Sequence, residues 1–356
     1  MIRILHVVGT MDMGGQETFI MNLYRKIDKK QMQFDFVVHS QKRGYYDDEI
    51  EKLGGKIFRI APIGKHVWKH CKELYSILKN NDYNIIHRHT CSSIVAIDLL
   101  VAKIAKVKKR IVHCHATKAT DHKYINVLLR PLMNYLSNVK LACSISAGKF
   151  LFGKKEKFKV IYNAIDVQKF KFDESVRNNI REKYNSKEKF VIGHVGRFRK
   201  EKNHMFLLKV FKDIVEEDKN AELWLIGDGE LKEQVQKAVE NDNIKSKVKF
   251  LGTQSDVSKF LMAIDVFVFP SLYEGLGIAL IEAQCTGLNC VVSDEITQEA
   301  IITDNVKKLK LNIDPKYWAE TILNSKSTKR YINFDTPEIQ KYTVEYLINQ
   351  MKEVYN

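Results

Sequence analysis

Short apolar runs alternate along the chain with longer amphipathic stretches. This rhythm predicts a parallel α/β architecture. In the first half, residues 2–8, 34–39, 56–60, 85–89, 110–115 and 141–144 read as strands. Helical patterns over 18–26, 69–79 and 94–106 lie between them. The rhythm restarts near residue 190, with strands at 190–194, 222–226, 248–251, 266–269 and 288–293. The second set of helices falls at 204–217, 231–240, 255–263 and 278–285. The polar stretch 162–189 reads as a connection. Residues 336–355 read as one closing helix, with Ile339, Tyr342, Tyr346, Leu347, Met351 and Val354 on one broad side. The expected organisation is two Rossmann-like domains, 1–166 and 167–335, with a final helix, 336–356, that packs back on the first.

Composition narrows the class. A chain of 356 residues, 45% hydrophobic, is long enough for two cores. Its six cysteines, at 71, 91, 114, 143, 285 and 290, form no CxxC pair, which fits a reduced, cytoplasmic protein. No apolar run reaches the roughly 18 residues of a membrane span, and the first strand is too short for a secretory leader. Charge is uneven. Residues 1–166 hold 29 of the 58 Lys and Arg but only 14 of the 43 Asp and Glu, so the whole excess of +15 lies there. Clusters stand at Lys103, Lys106, Lys108, Lys109 and Arg110, and at Lys149, Lys154, Lys155, Lys157 and Lys159. They fit either a polyanionic partner, nucleic acid or an anionic membrane, or a solvated surface.

In open parallel sheets, ligands bind beyond the carboxyl ends of the strands. Five segments fall there. GTMDMGGQETFIMNLY (9–24) opens a helix with Gly14 and Gly15, where backbone can approach an anion. It is neither a GxGxxG fingerprint nor a P-loop. RIVHCHATKA (110–119) puts His113 and His115 on one side of a strand, with His115 nearer its end. Spacing supplies no third metal ligand. VIGHVGRFRKEKNHMFLL (191–208) sets Arg197 and Lys202 before a helix start, an arrangement suited to a diphosphate. LWLIGDGELKEQV (223–235) turns on Gly227 and Gly229, which either keep space beside a base or ribose or make a tight turn. SLYEGLGIALIEAQCTG (271–287) puts Glu274 in a loop and Glu282 a turn into a helix, with Gly275, Leu276 and Gly277 between. Carboxylates accept bonds from hydroxyls, and the N–H groups between them favour negative charge. A ribose–diphosphate–sugar has that form.

These segments, in this order, resemble the retaining glycosyltransferases of family 4. The resemblance rests on GGQE, VHCHAT, VIYNAID, GRFRKEKN, LIGDGE, LGTQSDVSKFLMAIDVFVFPSLYEGLGIALIEAQCTG and VVSD. Glu274 and Glu282 match that family's E-x7-E motif, and the best match is the bacterial branch that builds capsular and other surface polysaccharides. The resemblance implies a GT-B fold, two Rossmann-like domains facing a central cleft. It implies that Arg197 and Lys202 bind the donor diphosphate and that Glu282 accepts from ribose hydroxyls. Glu274 would contact the donor sugar, beside the N–H groups of Gly275, Leu276 and Gly277. His115 would lie near the transferred sugar, and Gly14 and Gly15 near the phosphates and acceptor entrance. No cofactor or metal would be needed. Two departures concern loop geometry: Asn163-Ala164-Ile165-Asp166 lacks a glycine common in the family, and Gly287-Leu288-Asn289-Cys290-Val291 stands where GxPV is common.

The expected reaction moves a hexose or N-acetylhexosamine from a UDP-linked sugar to a lipid-linked or growing saccharide. The expected mechanism is front-face attack, resting on charge stabilisation and not on a carboxylate pair. A polyprenyl-diphosphate-linked acceptor would bring the basic first half to the inner face of the plasma membrane as a peripheral protein. Nucleic acid is not an expected partner, since no RRM, KH or helix-turn-helix signature is present. An epimerase of the same fold, or a basic nucleic-acid-binding protein, is the alternative. Loops 10–16, 61–70 and 115–130 would select sugar and acceptor.

Overall fold

Continuous apolar runs are what a strand buried on both faces requires, and the chain supplies two sets of them. The computed structural model describes residues 1–64, 66–116, 123–326 and 330–356, with the backbone alone for Lys123. Lys65 and residues 117–122, which include parts of two expected specificity loops and the end of the HCHATKA motif, lie outside the described residues. The chain forms two compact units, Met1–Ile165 with Lys341–Asn356, and Asp166–Gln340.

The first unit holds β1 (Ile2–Val8), β2 (Met32–Val38), β3 (Ile57–Arg59), β4 (Ile85–Thr90), β5 (Lys109–Cys114), β6 (Val139–Ala142) and β7 (Lys159–Val160). They pair in parallel in the order β3-β2-β1-β4-β5-β6-β7. One face of this sheet carries a core of Ile4, Phe19, Phe34, Phe36 and Ile111, and Leu347, Met351 and Tyr355 join it from the C-terminal segment. The opposite face carries Leu5, Val7, Ile86, Leu74 and Ala102.

That C-terminal segment is not the single helix 336–355 that the apolar stripe predicts. It is a short helix Pro337–Gln340 and a longer one Val344–Tyr355. Between them the backbone is extended: Ile165 N donates to Tyr342 O, 2.8 Å, and Ile165 bridges Thr343 in parallel. The Thr343 side chain then caps the second helix by accepting from Tyr346 N.

The second unit holds β8 (Phe190–Val195), β9 (Ala221–Ile226), β10 (Val248–Gly252), β11 (Val266–Phe269), β12 (Asn289–Ser293) and β13 (Val306–Leu309), in the parallel order β10-β9-β8-β11-β12-β13. Helices His204–Glu217 and Ile278–Cys285 have the bounds that the sequence pattern predicts. The stretch 162–189 is more than a connection, because Glu174–Lys183 is a helix of this unit. Its anchor is ionic. Arg177 and Arg181 each reach a different oxygen of Asp265, both at 2.5 Å, and Asp265 also accepts from Val191 N.

Candidate active site

In both sheets the strand order reverses beside the first strand, between β1 and β4 and between β8 and β11. At such a switch point two neighbouring loops leave in opposite directions and open a crevice. In the second unit those loops are 196–203, after β8, and 270–277, after β11. They carry Arg197 and Lys202 on one side and Glu274 to Gly277 on the other.

The loops are joined to each other. Lys202 ends the short helical turn Lys200–Lys202, and its Nζ lies 2.6 Å from Glu274 Oε1. The same ammonium stands 4.5 Å above the Phe269 ring. Both partners are shielded, with side-chain exposures of 16% and 11%. Asn203 adopts the left-handed conformation, φ 56°, and its amide donates to Pro270 O. Leu272 N donates to Glu201 O, 2.8 Å. Helix His204–Glu217 begins at this point, and no side chain caps its N-terminus. Arg197 is exposed in the same loop, next to the buried Phe198, which stacks on His204 at 4.3 Å.

Gly277 is the residue before helix Ile278–Cys285, at φ 82°. A side chain there would be strained, and its Cβ would stand 3.3 Å from the Phe269 ring. Leu276 is buried beside it, and Gly275 precedes it. At Gly227 and Gly229 the geometry fits the tight turn, the second of the two sequence readings. What comes close to them is the chain itself. A Cβ on Gly227 would lie 2.1 Å from Gly196 O, and one on Gly229 2.7 Å from Phe198 N. Backbone bonds from Gly196 N to Ile226 O and from Phe198 N to Asp228 O lock the 196–198 loop against this turn. The glycines thus hold the backbone that carries Arg197.

Glu282 sits in the second turn of helix Ile278–Cys285, half-buried, and its carboxyl makes no hydrogen bond among the described residues. Burial pushes its pKa up to about 7, opposed by the positive charge of Lys169. The folded protein thus keeps a proton that the unfolded chain gives up near its ordinary value of 4.5. Stability falls as pH rises through that window, and the full penalty, about 3 kcal/mol at most, stands above pH 7. Glu282→Gln is therefore expected to raise the Tm of the ligand-free protein at pH 8 and to change it little at pH 5. Calorimetry at both pH values checks this, and an equal change at both contradicts it.

In the first unit, Gly14 precedes helix Gly15–Lys26, and a Cβ on Gly15 would meet nothing within 4 Å. The helix lays Phe19 against the rings of His113 and His115, with centroids 5.0 and 5.4 Å away. His115 follows β5 directly and belongs to a row of five imidazoles that strand spacing alone does not reveal. The parallel register sets His6 beside His87 and His89 beside His113. His6 Nδ1 lies 3.0 Å from His89 Nε2, and His89 Nδ1 lies 2.9 Å from His115 Nε2. Burial lowers the pKa of every ring in the row, to about 3 for His6 and His115. At neutral pH His115 is therefore an uncharged hydrogen-bonding group, not a cation. The signal in the sequence is the pair of H-x-H strings, His87 with His89 and His113 with His115, on neighbouring strands.

Comparisons with known proteins identify the family. Residues 13–169 match Glycosyltransferase Family 4, and residues 176–328 match Glycosyl transferases group 1. EpsF of Bacillus subtilis (strain 168), provisionally named a glycosyltransferase, is 34% identical over 99% of this chain and 96% of its own. The capsular polysaccharide biosynthesis glycosyltransferase CapH of Staphylococcus aureus is 27% identical over 100% of this chain and 99% of its own. An Escherichia coli UDP-Gal:alpha-D-GlcNAc-diphosphoundecaprenol alpha-1,3-galactosyltransferase is 31% identical over 62% of this chain and 60% of its own. Among solved structures, Anabaena HepE in complex with UDP and glucose superposes with a TM-score of 0.82 at 18% identity, covering 99% of both chains. With two parallel sheets of this order, matches to both families and a relative at 34% identity over nearly its whole length, the chain belongs to the group 1 glycosyltransferases of the GT-B fold.

Proposed function

We propose that this glycosyltransferase moves a hexose or N-acetylhexosamine, with retention of configuration, from a UDP-linked donor to a polyprenyl-diphosphate-linked or growing saccharide of a surface polysaccharide. The observation that carries the proposal is the meeting of Lys202 and Glu274 across the β8/β11 switch point. It puts a cation for a diphosphate and a carboxylate for sugar hydroxyls at one place, beside the uncapped start of helix His204–Glu217. The relatives act on chemistry of this kind: the Escherichia coli enzyme uses UDP-Gal and a diphosphoundecaprenol acceptor, and HepE holds UDP.

In this reading Lys202 turns from Glu274 to the donor diphosphate, joined by Arg197, and frees a Glu274 oxygen for the sugar. Glu282 faces the ribose. The N–H groups of Gly275, Leu276 and Gly277 serve the sugar and phosphate, while Gly227 and Gly229 shape the loop that holds Arg197. His115, with Gly14 and Gly15, serves the transferred sugar and the acceptor. The acceptor hydroxyl attacks C1 on the face the diphosphate leaves. The C1–O bond to phosphate breaks, the new C1–O bond forms, and the hydroxyl proton passes to the departing phosphate oxygen. Lys202, Arg197 and the helix N-terminus stabilise the charge that develops there, so the reaction needs neither a resident cofactor nor a divalent ion on the diphosphate. Proton NMR of the product tests retention. An α-linked product from an α-linked donor is expected, and a β-linked one overturns it.

The acceptor places the protein at the inner face of the plasma membrane. No helix among the described residues is long and apolar enough to cross a membrane. Helix Lys123–Leu136, however, shows Tyr124, Val127, Leu128, Leu132 and Tyr135 to solvent, with Tyr124 91% and Leu128 76% exposed. Ile104 is exposed nearby on the helix that packs beside it, and Lys103 stands 4.6 Å over the Tyr135 ring. An apolar stripe with Lys103 at its edge suits insertion among anionic lipid headgroups. The protein is expected to co-sediment with anionic vesicles more than with neutral ones, and Leu128→Glu is expected to weaken this at least several-fold. Equal sedimentation with both vesicle types contradicts the assignment.

A further inference from the structure

The histidine row of the first unit holds more nitrogens than it satisfies. Among the described residues, His6 Nε2, His87 Nε2, His115 Nδ1 and both ring nitrogens of His113 are buried without a hydrogen-bond partner. A buried polar atom without a partner destabilises the fold. His113 is wholly enclosed, and neither of its nitrogens meets anything to bond. The unpaired His113 nitrogens, beside the facing nitrogens of His89 and His115, point to a ligand that accepts lone pairs.

We propose that His89, His113 and His115 form a binding site for a borderline transition-metal cation of the zinc type. One nitrogen from each lies within 4.8 Å of the others. His89 Nδ1 and His115 Nε2 already face each other at 2.9 Å. Two neighbouring ligands on a tetrahedral ion with ordinary Zn–N bonds stand about 3.3 Å apart, so a small separation admits the ion. His113 gives a nitrogen without losing any bond. His6 completes the arrangement from behind: its Nδ1, 3.0 Å from His89 Nε2, accepts the N–H of that ring and leaves the His89 Nδ1 lone pair aimed at the ion. Metal-bound imidazoles are commonly oriented through their second nitrogen in this way.

A second triad, His6, His87 and His89, also has its nitrogens within 4.8 Å. It is wholly buried, and its His87 Nδ1 is engaged by the Tyr355 hydroxyl at 2.8 Å. The outer triad is preferred because His115 is only half-buried and gives the ion a way in. Three uncharged imidazoles, with neither carboxylate nor thiolate among them, favour zinc, copper or nickel over magnesium or calcium. The fourth position is left to water or an anion. Occupancy would fix the His115 ring through Nε2, the nitrogen that faces His89, and so set the orientation of the ring assigned to the sugar. That consequence rests on the proposed function, whereas the binding itself does not.

The test uses the full chain with any affinity tag removed, titrated with Co2+ and then with Zn2+, with metal content measured after dialysis. One equivalent of Co2+ with tetrahedral ligand-field bands, displaced by Zn2+, is expected. His113→Gln and, independently, His115→Ala are each expected to weaken binding by more than about 100-fold, beyond the loss typical of an orienting neighbour. His6→Phe is expected to weaken it by about 10-fold, and His87→Gln to leave it unchanged. His115 is half-buried, so His115→Ala tests the ligand set even if His113→Gln fails to fold. Absence of stoichiometric binding by the wild-type protein overturns the proposal. So does binding that survives loss of His113 or His115, or that is lost with His87.

Discussion

Lys202→Ala is expected to lower kcat/KM for sugar transfer by about 10²–10³-fold in a protein that still folds. Removing one preorganised charge-stabilising group from a developing anion has an effect of that size. In the free protein Lys202 neutralises Glu274 at 2.6 Å, and during the reaction it is assigned to the leaving diphosphate. The folding cost should be small, because Asn203 to Pro270 and Leu272 to Glu201 still join the two loops. Circular dichroism and a melting curve check the fold, and nucleotide release with saturating acceptor checks the rate. Near wild-type turnover by purified Lys202→Ala would remove Lys202 from the chemistry.

Glu274→Ala is the second large effect, a loss of about 10²-fold in kcat/KM. A carboxylate that holds the sugar through hydroxyls acts by positioning, and misplacement of the reacting carbon by about 1 Å costs that much. Glu274→Ala also releases Lys202, which alone could strengthen nucleotide binding. UDP affinity is therefore expected to be kept or improved while transfer falls. Calorimetric titration with UDP beside the rate assay separates the two, and equal losses in both would make Glu274 a nucleotide-binding residue instead.

The sequence shows most of the strands plainly, because a strand buried on both faces must be apolar throughout. β13, Val-Lys-Lys-Leu at the edge of its sheet, escapes notice because its two middle residues are exposed lysines, and β7 is only two residues long. Helix Glu174–Lys183 escapes for another reason: its buried contact is a pair of arginines on Asp265, so it lacks an apolar stripe. The closing helix shows the opposite error. Its stripe continues across residues 341–343, where backbone pairing with Ile165 interrupts the helix.

The site was legible residue by residue but not as contacts. Lys202 and Glu274 stand 72 positions apart, and their meeting follows from β8 and β11 being neighbours in the sheet. Gly227 and Gly229 announce close approach, yet spacing cannot say whether ligand or chain does the approaching. The histidine row depends on the register of β1, β4 and β5, which no single strand contains.

The most direct test of the account is UDP release from a panel of UDP-sugars by the purified chain, with and without a polyprenyl-diphosphate-linked saccharide. The account predicts slow release from one UDP-hexose or UDP-N-acetylhexosamine, strongly accelerated by acceptor and lost in Lys202→Ala. Folded protein that neither binds nor turns over any member of the panel would contradict it.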